Sequence, residues 1–160
     1  MFSGSSTQYS ITYFGGCMDV KINYVAVALA AVAMWVLGAI WYGIFSSQWM
    51  IYTGITEEMA KGMSGKDMAV LYGGSVVAYF IMFYIQCHVH HAFQVKDIKG
   101  AAQAAFWNWL GFIAMSMYVS NSFQGKSIGL TLIDSGYWLL GMIVGGIILV
   151  KMQKKEVAAN

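Results

Sequence analysis

Hydrophobic positions along this chain gather into four long blocks separated by short polar stretches. The first runs from Tyr24 to Phe45 (YVAVALAAVAMWVLGAIWYGIF), the second from Ala69 to Gln86, the third from Ala101 to about Val119, and the fourth from Ile128 to Val150. Each is about twenty residues long, enough to cross a ~30 Å hydrocarbon core at ~1.5 Å per residue. None shows the period-two alternation of a barrel strand, and lipid offers the backbone no hydrogen-bonding partners, so helices are the predicted form. The expected fold class is therefore all-α: an integral membrane bundle of four transmembrane helices, over about 24–45, 69–87, 101–120 and 128–150. Residues 21–151 make up this domain, with a polar arm before it over residues 1–20 and a short tail after it over residues 152–160. Lys21 precedes the first block as it would in a signal peptide, but the block is too long and continues through Trp35 and Trp41, so it reads as a retained helix.

The polar stretches add one element. In the first loop, TGITEEMAKGM, Thr56 stands before Glu57 and Glu58. A capping hydroxyl followed by carboxylates in the first turn favours a helix start, so a short interfacial helix is expected there, at the outer surface.

Composition agrees with this pattern. The chain is 59% hydrophobic and 10% charged, with no proline and no arginine, against about 25% charged residues in soluble domains. Its mean hydropathy is +0.61. A net charge of +2, carried by lysines alone, makes no basic field for nucleic acid, and the bilayer is the first partner expected. With four crossings, Lys21, Lys96, Lys99, Lys151, Lys154 and Lys155 share one side, while Lys61, Lys66 and Lys126 share the other. This bias predicts cytoplasmic termini, in a bacterial inner membrane. The two cysteines, Cys17 and Cys87, form no spaced framework and are expected as free thiols; no apolar segment precedes FGGC, so lipidation of Cys17 is not expected.

Three stretches carry a resemblance: LGAIWYGIFSSQWMIYTGITEE, WNWLGFIAMSM and NSFQGKSIGLTLIDSGYWLLGMIVGGIIL. From about Val20 to Val150 the chain resembles the small integral-membrane family catalogued as domain of unknown function seventeen sixty-one. The resemblance rests on the Trp41–Tyr42 pair, on Trp49, on the run from Trp107 to Phe112, and on the Ile-Asp-x-Gly-Tyr run around Asp134. Family members often have a proline after the Trp–Tyr pair, where this chain has Gly43. The resemblance implies a four-helix membrane fold and supplies no activity. His88, His90 and His91 lie outside its motifs.

Asp134 is the one carboxylate inside the four blocks. It falls about six residues, ~9 Å, into the fourth helix, where a charge costs up to roughly 3 kcal/mol and must face other helices or water. The hydroxyls and amide of Tyr42, Tyr72, Ser75, Ser116, Ser120 and Asn121 are candidate partners at matching depth, and no lysine lies there. Asp134 could fix helix packing as a hydrogen-bonded clasp, or it could bind or relay a cation or proton.

QCHVHH closes the second block at its cytoplasmic end. On a continuing helix Cys87, His88 and His91 share a face, and they are the candidate ligands for zinc, copper or haem iron, although no fourth ligand is evident and His90 is expected to point elsewhere. The other expectation for these histidines is a solvated interface, with no metal or haem. Small residues recur four apart at Gly141 and Gly145, Gly74 and Ala78, Ala26 and Ala30, and Ala101 and Ala105, a spacing that lets helices pack closely within one chain or between subunits. No phosphate-binding loop, Ser/His/Asp set or paired carboxylates occur, so an enzyme is not expected. The favoured expectation is a protein that self-associates as a homo-oligomer or serves as an accessory subunit of a membrane assembly. The alternatives are a small-solute or proton channel using Asp134, and a metal or haem protein.

Overall fold

A computed structural model describes residues 21–158 of the chain, with side chains placed through Met152. The predicted arm over 1–20, Cys17 included, and the last two residues of the tail lie outside the described residues. The helices are α1 (Tyr24–Ile44), α2 (Ser46–Thr53), α3 (Glu57–Lys61), α4 (Gly65–Ala92), α5 (Ile98–Asn108), α6 (Met115–Phe123) and α7 (Ile128–Ala158), with a π-helical segment, Trp109–Ala114, joining α5 to α6.

The caps explain where these elements begin. Asn23 accepts from the Ala26 amide at 3.0 Å and opens α1. Thr56 accepts from the Met59 amide at the head of α3, the helix start expected from TEE. Ser64 and Asp67 form a reciprocal capping box, which satisfies two otherwise bare amides and starts α4 four residues before the predicted apolar block. Asp97 accepts from the Gly100 amide at 2.7 Å and starts α5. Gly54, with φ of 76°, ends α2 in the left-handed conformation that a residue with a Cβ rarely adopts.

Three helices are long and apolar enough to cross a membrane: Tyr24–Ile44, Gly65–Ala92 and Ile128–Met152. The block predicted over 101–120 is helical from Ile98 to Phe123, but the π turn divides it, so no single α-helix there reaches spanning length. Glycine at position 111 stands inside that wide turn.

Helix α7 is the centre of the molecule and packs chiefly on α1 and α5, while α1 also packs on α4. Glycines make this possible. A Cβ at Gly141 would stand 2.9 Å from Met34 Cε, and one at Gly145 would collide with the Phe83 ring. Met34 and Phe83 are themselves fully buried, so each large side chain is seated over a bare stretch of α7. In lipid, close packing of this kind has to supply what hydrophobic burial supplies in water. Ala26, Val27, Ala30, Ala31 and Met34 form the buried stripe of α1, and Ala101, Ala104 and Ala105 that of α5. Of the four small-residue pairs, Gly74 and Ala78 alone face outward.

Candidate functional site

Three indole N–H groups from separate elements converge on three consecutive residues of α7. Trp41 on α1 donates to the Ile133 carbonyl at 3.0 Å. Trp49 on α2 donates to Asp134 Oδ1 at 3.1 Å. Trp109, the first residue of the π segment, donates to the Ser135 carbonyl at 2.6 Å. Indole nitrogen is a donor with no acceptor capacity, so each ring needs one polar partner and can otherwise sit in an apolar setting. The Tyr42 hydroxyl donates to the same Asp134 oxygen at 2.9 Å.

The local folding explains how these groups meet. Helix α1 ends at Ile44, and after the break at Phe45 the chain starts α2, with the Ser46 hydroxyl donating to the Gly43 carbonyl at 3.2 Å. Trp49 thereby stands beside Tyr42, the ring centroids 5.7 Å apart and the planes at 72°. Gly136 lets the Trp41 ring lie on α7: a Cβ there would meet Trp41 Cζ2 at 3.2 Å. Tyr137 continues the cluster inward, its hydroxyl donating to the Met34 carbonyl at 3.1 Å and its ring 5.4 Å from that of Tyr42.

Among the partners anticipated for Asp134, Tyr42 bonds it directly. Tyr72 and Ser75 stand across a groove of about 670 Å³ between α1 and α4, in whose wall Tyr42 and Trp49 also lie. The Ser75 hydroxyl donates to the Tyr72 carbonyl of its own helix at 2.7 Å. Ser116 and Ser120 are exposed, and Ser120 accepts from Gln124 instead. Asn121 donates to the Thr131 hydroxyl at 2.9 Å, one turn before Asp134. Trp49 is the partner that sequence reasoning missed. It was visible as part of the family resemblance, but not as a donor to Asp134.

The histidine end is arranged differently from the expectation. Phe83, Gln86, Cys87 and His90 form the buried stripe of α4, with three- and four-residue spacing, so His90 points into the protein. His91 is exposed, and His88 is half-buried with its ring edge-on to Tyr84 at 5.0 Å. Cys87 is a buried free thiol. Among the described residues no three His, Cys, Asp or Glu side chains come together as a metal site, so Cys87, His88 and His91 do not converge. Instead Gln86 Nε2 donates to the Met142 carbonyl at 3.2 Å and lies 3.4 Å from His90 Nε2. Gly146 makes room for this amide, since a Cβ there would stand 2.8 Å from Gln86 Nε2. Gly146 and Asp134 are twelve residues apart on α7, about 18 Å, so the two polar places are separate.

Over residues 25–150 the chain matches the family model described as "Protein of unknown function (DUF1761)". No curated protein and no solved structure matches it.

Proposed function

The chain belongs to this family of proteins of unknown function, so its role has to be drawn from its own geometry, and we propose that it acts by association, as a homo-oligomer or as an accessory subunit of a membrane assembly, without catalysing a reaction. The observation that carries this reading is the state of α4. Its four buried residues all lie between Phe83 and His90, and the rest of the helix is exposed or half-buried. On that open part Gly73, Gly74 and Ala78 are exposed, and a Cβ at either glycine would meet nothing within 4 Å. Helices associate in lipid where small residues let two backbones approach, so this face can accept another helix at close range.

The membrane arrangement proposed with it has four crossings. The segments of 11, 6 and 9 residues from Ile98 to Phe123 run end to end and extend about 39 Å, enough to cross once. Lysine placement then puts both termini on the cytoplasmic side of a bacterial inner membrane, with α3 lying at the outer surface. In this scheme Asp134 is an internal clasp that holds α1, α2 and α7 in register.

The test is cross-linking in native membranes. A Gly74→Cys variant, with Cys17 and Cys87 replaced by serine, should form a disulfide-linked dimer or an adduct with a partner, and Gly74→Ile should abolish association in nanodiscs. A solubilised protein that runs as a monomer at all concentrations, with no co-purifying partner, removes the proposal.

A further inference from the structure

The groove between α1 and α4 is walled by six aromatic residues: Trp35, Tyr42, Trp49, Tyr72, Tyr79 and Tyr137. Neighbouring rings stand steeply to one another. Trp35 and Tyr72 meet at 80°, Tyr42 and Trp49 at 72°, and Tyr79 and Tyr137 at 63°. Rings arranged in this way form the sides of a box rather than a stack. At about 670 Å³ the groove has the size of a small-molecule site. No lysine lines it.

Charge is supplied from behind the wall. Tyr42 and Trp49 both donate to Oδ1 of Asp134. A hydrogen bond to a carboxylate shifts electron density into the donor's ring, which strengthens the negative ring face that attracts cations. A neutral ligand would gain nothing from the carboxylate behind the wall, and an anion would be repelled by ring faces and carboxylate together. A calcium or magnesium ion is also a poor fit, because it requires about six oxygen ligands, and no carboxylate, imidazole or thiol lines the groove. Aromatic walls backed by one carboxylate suit a large, weakly hydrated cation.

We propose that this groove binds a lipophilic organic ammonium ion. Its positive head rests among Tyr42, Trp49, Tyr72 and Tyr137, with Asp134 as the counter-charge. Its apolar part lies along Leu71 and Ala39, where the groove meets the lipid. The ammonium could belong to a free amphiphile or to a choline headgroup, which share the same chemistry. The inference does not depend on whether copies of the chain associate.

The experiment is a calorimetric titration of the full chain in an uncharged detergent with benzyltrimethylammonium and with neopentylbenzene, its neutral carbon isostere. The expected result is saturable binding of the ammonium, at least tenfold tighter than binding of the isostere. Asp134→Asn should weaken it at least fivefold. Tyr72→Leu, a half-exposed position whose side chain makes no hydrogen bond in the fold, should weaken it at least threefold with the unfolding midpoint unchanged. If Asp134→Asn fails to fold, Tyr72→Leu and Trp35→Leu decide. Equal affinity for the isostere, or rim variants that bind as tightly as the parent, overturns the proposal. Competition by added phosphatidylcholine would assign the head to a lipid, and its absence to a free solute; both uphold the ammonium chemistry.

Discussion

Trp49 and Asp134 lie 85 residues apart in sequence and are joined by a 3.1 Å hydrogen bond. The indole that donates it stands on an eight-residue helix that exists because α1 stops at Phe45. Tyr42 donates to the same oxygen at 2.9 Å, so one carboxylate fastens α1 and α2 to α7 at a single point. Each donor should therefore be partly redundant with the other.

Trp49→Phe and Tyr42→Phe should each lower stability by about 1 kcal/mol, the usual scale for an intramembrane hydrogen bond. The double variant should lose more than the two single losses added together, because the second removal leaves a carboxylate without a partner in an apolar setting. Unfolding in mixed micelles, followed by circular dichroism, gives the double-mutant cycle. Strict additivity would show that Asp134 finds another partner.

A glycine pair gives the second prediction. A Cβ at Gly145 collides with the fully buried Phe83 ring, whereas a Cβ at Gly74 meets nothing. Gly145→Ala should destabilise the fold by about 1–3 kcal/mol, as overpacking does, and Phe83→Leu in the same chain should recover part of the loss. Gly74→Ala should leave the unfolding midpoint unchanged. The same titration, run on the three variants, checks all three statements.

The sequence made both glycines look alike, since each begins or ends a small-xxx-small pair. Spacing along one helix shows that a backbone approach is possible, but which pair a neighbour occupies depends on tertiary packing. The helical class, the three long apolar helices and the start of α3 at Thr56 were legible because they rest on composition and local capping. The π turn at Trp109–Ala114 was not, because nothing in WLGFIA distinguishes it from ordinary helix. Helix α2 was hidden for a similar reason: SSQWMIYT has too little apolar pattern to announce itself. Tyr42 was named as a partner of Asp134 from depth alone. Trp49 escaped because the candidates were hydroxyls and an amide, and an indole N–H was not among them. His90 was misjudged through the choice of face: His88 and His91 flank it in sequence, and the stripe through Phe83, Gln86 and Cys87 selects His90 instead.

That stripe makes Cys87 a reporter of the core. Its thiol is free and 3% exposed. In a Cys17→Ser background a maleimide should fail to label Cys87 in the folded protein and should label it fully in denaturing detergent. Met34→Ala, which empties the space beside Gly141, should raise the native labelling rate severalfold by making local opening easier. Rapid labelling of the parent would show that the end of α4 is not packed as described.

The loops at each end of the Ile98–Phe123 segment give the last prediction. Asp97 caps α5 at one end, and at the other Gly125, with φ of 65°, turns the chain between α6 and α7. The helical path between them includes a π turn, which widens the helix but does not leave its backbone groups open to lipid, so the whole length can lie in a bilayer. If it crosses, the loop holding Lys96 and the loop holding Lys126 are on opposite sides, and the first shares its side with Lys151. Single cysteines replacing Lys96, Lys126 and Lys151, in a background without Cys17 and Cys87, can be labelled in intact cells with a membrane-impermeant maleimide. The expected result in intact cells is labelling at 126 alone. Positions 96 and 126 behaving alike, with 151 opposite to both, would mean that this segment lies along the surface. Three crossings would then remain, and Trp109 would reach Ser135 from the membrane face rather than from within the bundle.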